Sequence, residues 1–559
     1  MLNILKMSGR PSSKLTAHRT HSRRSFLLKA GVLSAGIFLN GCIRKLTRTN
    51  AYKDIKVIMK GANAKAGHIL RGKLSLPAPT TSRSVKTIII GSGISGLSAA
   101  RWLKKHGHEN FELLELEGHS GGNSHHGQNE VSAFPLGAHY MTIINNEDQQ
   151  LSDFLQECGV ITGFKHKKPI YNEYYLCFDP EERLLINGQW QEGLIPEFGL
   201  GKQDRLDIQQ FFELMETFRN AKGNDGRYAF DLPVDLSSAD ETYRALDRIS
   251  FASYLHQQGL HTPYLLWYLN YCCKDDYGRK IEQVSAWAGI HYFASRRSEA
   301  ANAESNAILT WPEGNGWLAK QLEAISQSHL RKNTMAYRIE LRDGKAAVET
   351  FDVVNGTTSL ILADNVIMAT PQFVNQRLLA GNIQRSFDLK ALQYAPWFVA
   401  NITVSELPEN KGMGLCWDNV AYDTASVGYV FAGQQNPGAT PGKKVLSWYL
   451  PLADQEPNVA RIAAYTRTPE QWMDILMPEL EYMHPGITER TEEVTCWIWG
   501  HGMISPVVGY IWGPDRNAAQ QPIDNLIYFA HTDLSGISIF EEAFHQGIHA
   551  ANEILKKNG

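Results

Sequence analysis

The stretch 86–123, KTIIIGSGISGLSAARWLKKHGHENFELLELEGHSGGN, decides the fold. Residues 87–90 are a short apolar run rich in β-branched side chains, suited to a strand buried on both faces. Gly91, Gly93 and Gly96 follow at G-x-G-x-x-G spacing, with Ser92, Ile94 and Ser95 among them. Gly91 permits a tight turn, Gly93 lets the backbone approach a pyrophosphate, and Gly96 lets a helix lie close to the strand. Ile94, Leu97, Ala100 and Leu103 recur on one side of the predicted helix, whose amide-rich start would face the phosphates. Gly107 breaks that helix, and residues 111–116 read as the second strand. Glu115 stands 24 positions after Gly91, near the ~20-residue spacing of the acid that binds ribose hydroxyls. In this order the parts predict a dinucleotide-binding α/β unit.

With these residues in place, the chain resembles the flavin-containing amine oxidase superfamily, which includes polyamine oxidases and carotenoid desaturases. The resemblance spans residues 86–555 and implies FAD as cofactor. In that family a Gly-Gly pair after the ribose acid brings its backbone to the cofactor; Gly121 and Gly122 stand there. Asn123 occupies the place of the family's usual Arg, which implies that one charged cofactor contact is missing. Residues 134–140 (FPLGAHY) resemble the segment that turns beneath the flavin. Residues 311–318 (WPEGNGWL) resemble a Pro-x-Gly-Gly turn near it, and 365–371 (NVIMATP) the crossing from cofactor domain to substrate domain.

The C-terminal end reads the same way. Residues 526–530 (LIYFA) form a strand-like run leading to His531, Thr532 and Asp533. By position, Asp533 takes the role of the family's acid that binds the ribityl or phosphate region, while His531 sits where Gly is common. Ser538 and Glu541 fit a capping box that would start a helix near Ile539 and carry it to Leu555. Its stripe of Ala543, Gly547 and Ala551 suits close packing on a sheet. The resemblance implies that the partly positive N-terminus of this helix faces the pyrimidine edge of the ring and favours the anionic reduced flavin.

The chemistry is less determined. Amine oxidases of the superfamily carry a lysine near flavin N5, on the strand soon after the A-T-P crossover. Here residues 394–404 (YAPWFVANITV) hold no lysine, and none lies between Lys390 and Lys411. That departure leaves room for a dehydrogenase passing electrons to a quinone in place of oxygen, or for a desaturase or isomerase acting on an apolar substrate. Trp497, Trp499, His501, Tyr510 and Trp512 are the catalytic or substrate-facing candidates, as aromatic walls for an amine or an apolar channel. Core filling explains the aromatics equally well. His501 is a candidate proton shuttle, since imidazole titrates near neutrality. Asp275 and Asp276, in CCKDDYG, read as surface acids in a turn rather than a cation site.

No Asp or Glu precedes Asp54, and residues 22–29 (SRRSFLLK) resemble a twin-arginine export signal. The apolar stretch 26–41 contains Lys29 and is short for a spanning helix, which needs ~20 apolar residues. It ends in LNGC, which resembles a lipobox with Cys42 as the lipidated residue. The twin-arginine machinery carries folded proteins, a route suited to a flavoprotein bound for the periplasm or a membrane-anchored lipoprotein. Without residues 1–41 the chain carries 48 basic and 58 acidic residues, a net charge of −10, which argues against nucleic acid as a partner. The six cysteines beyond Cys42 show no C-x-x-C spacing, so no metal site is expected. No G-x-S-x-G hydrolase turn occurs apart from the look-alike around Ser95.

The expected fold class is therefore α/β: a discontinuous Rossmann-like FAD-binding domain with a mixed α+β substrate domain, amine-oxidase-like. The signal covers 1–42 and a linker 43–83. The FAD-binding domain takes 84–165, 300–395 and 495–559, and the substrate domain 166–299 and 396–494. The leading function is an exported FAD-dependent oxidoreductase acting on an amine. The alternatives are the apolar-substrate enzyme above and a non-catalytic lipid-anchored flavoprotein.

Overall fold

The computed structural model describes residues 52–72, 76–381, 383–408, 410–435 and 442–558. The twin-arginine stretch and Cys42 lie outside the described residues. Two large sheets, both within Ile55–Gly559, organise the rest.

The first sheet is built on Thr81–Ile90, whose last residues are among the most buried in the chain. It lies parallel to Phe111–Leu114 on one side and to Thr357–Met368 on the other. Neighbours on both edges and helices over the face leave no position of 87–90 facing water, so this apolar run does not alternate. Thr357–Met368 divides its second edge. Its first half pairs antiparallel with Lys345–Asp352, and Val366–Met368 pairs parallel with Ile527–Phe529. This brings the C-terminal block beside the glycine turn. The helix Ile94–Lys105 covers the sheet, and the C-terminal helix Phe540–Asn558 packs on it. A Cβ at Gly547 would stand 2.0 Å from Ser98 Oγ and 2.1 Å from Ser95 O. The small-residue stripe thus serves a helix–helix contact, where a helix–sheet contact was expected.

The second sheet has eight strands. Its centre is Tyr394–Val404, buried at every position and flanked antiparallel by Lys444–Pro451 and Thr491–Ile504. Helices of residues 202–294, including Lys202–Asn220, Pro263–Tyr277 and Ala286–Ala294, form a separate apolar cluster beside it. Pro469–Met483 begins at Pro469, with Thr468 Oγ1 accepting the Gln471 N–H at 3.3 Å, as its capping signal predicts.

Two segments differ from the domain layout read in the sequence. Lys56–Gly61 lies in the stretch expected to be a linker, yet it pairs parallel with Glu493–Ile498 and forms the edge of the eight-stranded sheet. Its apolar centre, Val57, Ile58 and Met59, is flanked by Lys56 and Lys60, charges suited to an edge strand. Thr491–Ile504 overlaps the segment expected in the cofactor domain, but hydrogen-bonds within the second sheet.

Candidate active site

A cavity of about 460 Å³ lies between the glycine turn, the C-terminal block and the second sheet. At one end stand Gly91, Gly93, Glu115, Gly121 and Gly122. Gly91 has φ +99°, and a Cβ there would lie 2.8 Å from Ala369 O. Gly96 does not reach the cavity: its Cβ would lie 1.8 Å from Gly91 O, so it sets the approach of helix to turn. Gly93 has open space on its Cβ side and caps Ile94–Lys105 without a side-chain hydrogen bond, leaving the first amides of that helix unclaimed by a cap. Gly121 N donates to Ser92 O at 2.9 Å, which draws the Gly-Gly pair against the turn.

Glu115 lines the cavity while Oε2 accepts from Ser92 N (2.8 Å) and Ser92 Oγ (2.7 Å) and Oε1 from Glu117 N (2.9 Å). Burial raises its pKa against those three hydrogen bonds. Ser92, a predicted cofactor residue, is fully buried and spent on Glu115. Ile94 and Ser95 both line the cavity. Asn123 also lines it, but its Nδ2 donates to Gly502 O, tying the Gly-Gly segment to Thr491–Ile504.

Asp533 is displaced from its expected role. It is fully buried and absent from the cavity wall, with Oδ2 accepting from Gln372 N (2.7 Å) and Tyr394 OH (2.6 Å). A short turn, Thr532–Leu534, separates wall from core, so His531 and Thr532 face the cavity and Asp533 faces away. Asp533 holds the crossover at Pro371–Gln372 in place. Tyr510 donates to Asp533 O at 2.6 Å, and Trp512 lies under the Arg244 guanidinium and edge-on to Trp287; both lie outside the cavity. Glu541, read as a capping residue, reaches Arg296 at 3.4 Å.

The remaining candidates do meet at the cavity. Trp497 and Trp499 form one wall, with Trp499 Nε1 donating to Leu136 O at 2.5 Å. His501 stacks on Phe373 with ring centroids 4.3 Å apart. Burial, then the charges of Arg461, Arg71 and Arg377, push its pKa down to about 3, so it stays neutral and is no shuttle near pH 7. His139, unassigned in the sequence, stacks on Tyr449 (4.5 Å) and is held to about 4 by burial. The turn near 311–318 supports this wall: Asn315 N donates to Ala138 O at 3.0 Å and Asn315 Nδ2 to Tyr140 O at 2.9 Å.

The largest correction concerns Asp275 and Asp276. They end the helix Pro263–Tyr277 and open onto the cavity, not onto bulk solvent. Gly278 closes that helix with φ +62°, and its missing Cβ would lie 2.4 Å from Ala395 Cβ, so the helix end presses on the central strand. Burial, then Asp276 and Asp418, raise Asp275 well above the carboxylate range. Burial raises Asp276 to about 6, although Arg296 and the Tyr140 hydroxyl (3.2 Å) favour its charge. Both acids also stand at the negative end of the helix dipole, a costly position. Burial opposes the charge of Arg296, but Glu541 and Asp276 outweigh it and raise its pKa. A D-D-x-G sequence reads locally as a turn; only the helix end packed on a distant strand turns it inward.

A family model described as flavin containing amine oxidoreductase matches residues 94–555. The chain belongs to the flavin-containing amine oxidoreductase family. Among solved structures it resembles a putrescine oxidase bound to putrescine, at 14% identity and TM-score 0.62, over 85% of this chain and 100% of that one. It resembles the cyclohexylamine oxidase of Brevibacterium oxydans IH-35A at 14% identity and TM-score 0.60, again over 85% and 100%. A fatty acid isomerase from P. acnes matches at 17% and 0.54, over 83% of this chain and 97% of that one. These likenesses establish a shared fold. No curated protein sequence matches the chain. The protein is an FAD-dependent oxidoreductase of the amine oxidase superfamily. Its residues fit that cofactor: open space at Gly93, an uncapped helix start and Glu115 share one end of the cavity.

Proposed function

We propose that this oxidoreductase removes hydride from the carbon next to a substrate amine. FAD, when bound, supplies the two-electron oxidation at N5. The observation that carries the reading is the carboxyl pair Asp275–Asp276 inside an aromatic cavity. Two inward-facing acids answered by Arg296 and shared with Glu541 leave the cavity short of positive charge. A substrate ammonium compensates that charge when the pair is ionised, and the pair can then take one ammonium proton, leaving the free amine whose lone pair hydride removal requires. Trp397, Tyr449 and Trp497 line the same cavity as the acids and offer aromatic faces to a cation.

The electron acceptor is proposed to be a quinone or similar carrier rather than oxygen. The supporting observation is that the cavity wall holds no lysine among the described residues, and Tyr394–Val404 contains none. Export by the twin-arginine machinery to the periplasm, with Cys42 as lipid anchor, completes the proposal on sequence grounds alone. The test is an anaerobic titration of the purified holoprotein with polyamines and simple monoamines, followed at the flavin band. Bleaching by amines supports the reading. A band untouched by amines but bleached by an apolar substrate would move the protein to the reading of a dehydrogenase, desaturase or isomerase acting on an apolar substrate.

A further inference from the structure

The segment before the dinucleotide strand crosses from one sheet to the other over the end of the cavity where Glu115 stands. Lys56–Gly61 pairs residue by residue with Glu493–Ile498, on the strand whose Trp497 lines the cavity. The chain then turns, and Asn63 N donates to Glu117 Oε1 at 2.6 Å, two residues beyond Glu115. Asn63 Oδ1 accepts the Ala66 N–H at 3.0 Å and fixes the short helix Ala64–Gly67. Ala66 is buried, and Gly67 lies against Leu116. Leu70 packs on the cluster containing Ile90, Leu114 and Ala336. Ala62 and Leu70 both line the cavity, together with Leu116 and Glu117.

We propose that residues 56–71 form a clasp that supplies part of the binding wall for the adenosine half of FAD, so that release of the cofactor requires the clasp to lift. The segment is anchored at both ends, by backbone pairing on the second sheet and by Asn63–Glu117 with Leu70 on the first. Between the anchors, Ala62 lines the cavity that Glu115 also lines, the acid at the ribose-binding position of a dinucleotide turn. Because its partner strand is Thr491–Ile504, this wall is complete only when nearly the whole chain has folded.

The test measures FAD release from the holoprotein, by recovery of flavin fluorescence on dilution, in wild type, Asn63→Pro and Leu70→Asp. Asn63 has φ −66°, which proline adopts, so Asn63→Pro removes both the donor to Glu117 and the side-chain cap on Ala66 N at a backbone angle proline tolerates. Neither residue reaches the acid pair. Release about tenfold or more faster is expected in each variant, from the lost Asn63 hydrogen bonds in one and the lost Leu70 packing in the other. Hydrogen exchange on wild type should also show the amides of Lys56–Gly61 and Asn63 losing protection when FAD is removed, while Lys202–Asn220 is unchanged. If Leu70→Asp does not fold, Asn63→Pro and the exchange experiment decide. Release within about twofold of wild type in folded Asn63→Pro, with exchange of the segment indifferent to FAD, overturns the clasp. Because neither readout involves substrate, failure here is distinct from failure of the amine reading.

Discussion

Replacing Gly96 by alanine tests the cofactor turn in a way that separates packing from ligand contact. The added methyl would sit 1.8 Å from Gly91 O, where real Cβ atoms keep at least 3.0 Å, so turn and helix must part by roughly 1.2 Å. The helix cannot retreat freely. Leu97, Ala99, Ala100 and Leu103 are fully buried, and Ser95 and Ser98 press on Gly547 of the C-terminal helix. Overpacking of this kind costs about 1–3 kcal/mol, and it moves the first helical amides away from the phosphates. Gly93→Ala is the counterpart: its φ of −67° suits alanine, and no protein atom lies within 4 Å of the new methyl. Gly96→Ala should lower the melting temperature even of the apoprotein and reduce bound FAD, read as the ratio of flavin to protein absorbance. Gly93→Ala should leave the apoprotein's melting unchanged and reduce only FAD binding. A Gly96→Ala protein with wild-type melting and flavin content would refute the reasoning, as would an apoprotein destabilised by Gly93→Ala.

Three further outcomes are expected. Asp276→Asn should raise KM for a cationic amine by about tenfold or more, with kcat less affected, since one buried countercharge is lost. In wild type, amine affinity should weaken as pH falls through about 6, where Asp276 takes up its proton, and that inflection should vanish in the variant. Glu542 is fully buried, and burial raises it to about 8 while Oε1 accepts from Val234 N at 2.6 Å. A carboxyl raised above its unfolded value holds an extra proton in the native state, so it lowers stability progressively as pH climbs from about 4.5 to about 8. Glu542→Gln should thus be neutral near pH 4 and stabilising near pH 7.5, on the order of 4 kcal/mol by denaturant titration; a gain independent of pH would contradict the assignment. Arg23→Lys combined with Arg24→Lys should leave the protein in the cytoplasm on cell fractionation, and unchanged export would remove the twin-arginine proposal.

What the sequence determined by itself was the mixed α/β fold, its family and its cofactor. The fold follows from local spacing, a strand of Thr and Ile, three glycines, a helix and an acid along one continuous stretch, and the family and cofactor from the resemblance that Gly121, Gly122 and the later motifs carry. The helix start at Pro469 was equally legible, because capping is decided within four residues. Tertiary structure alone decided whatever depended on which face meets which distant strand. Asp275 and Asp276 turn inward because Gly278 seats their helix on Ala395, far along the chain. Asp533 and Thr532 are neighbours in sequence, yet a short turn puts one in the core and the other on the cavity. Lys56–Gly61 is a strand only because Glu493–Ile498 offers it an edge. His501 titrates out of reach of neutrality because burial and arginines from other segments surround it. Periodicity and motif spacing are short-range quantities, whereas desolvation and pairing are set by contacts hundreds of residues apart.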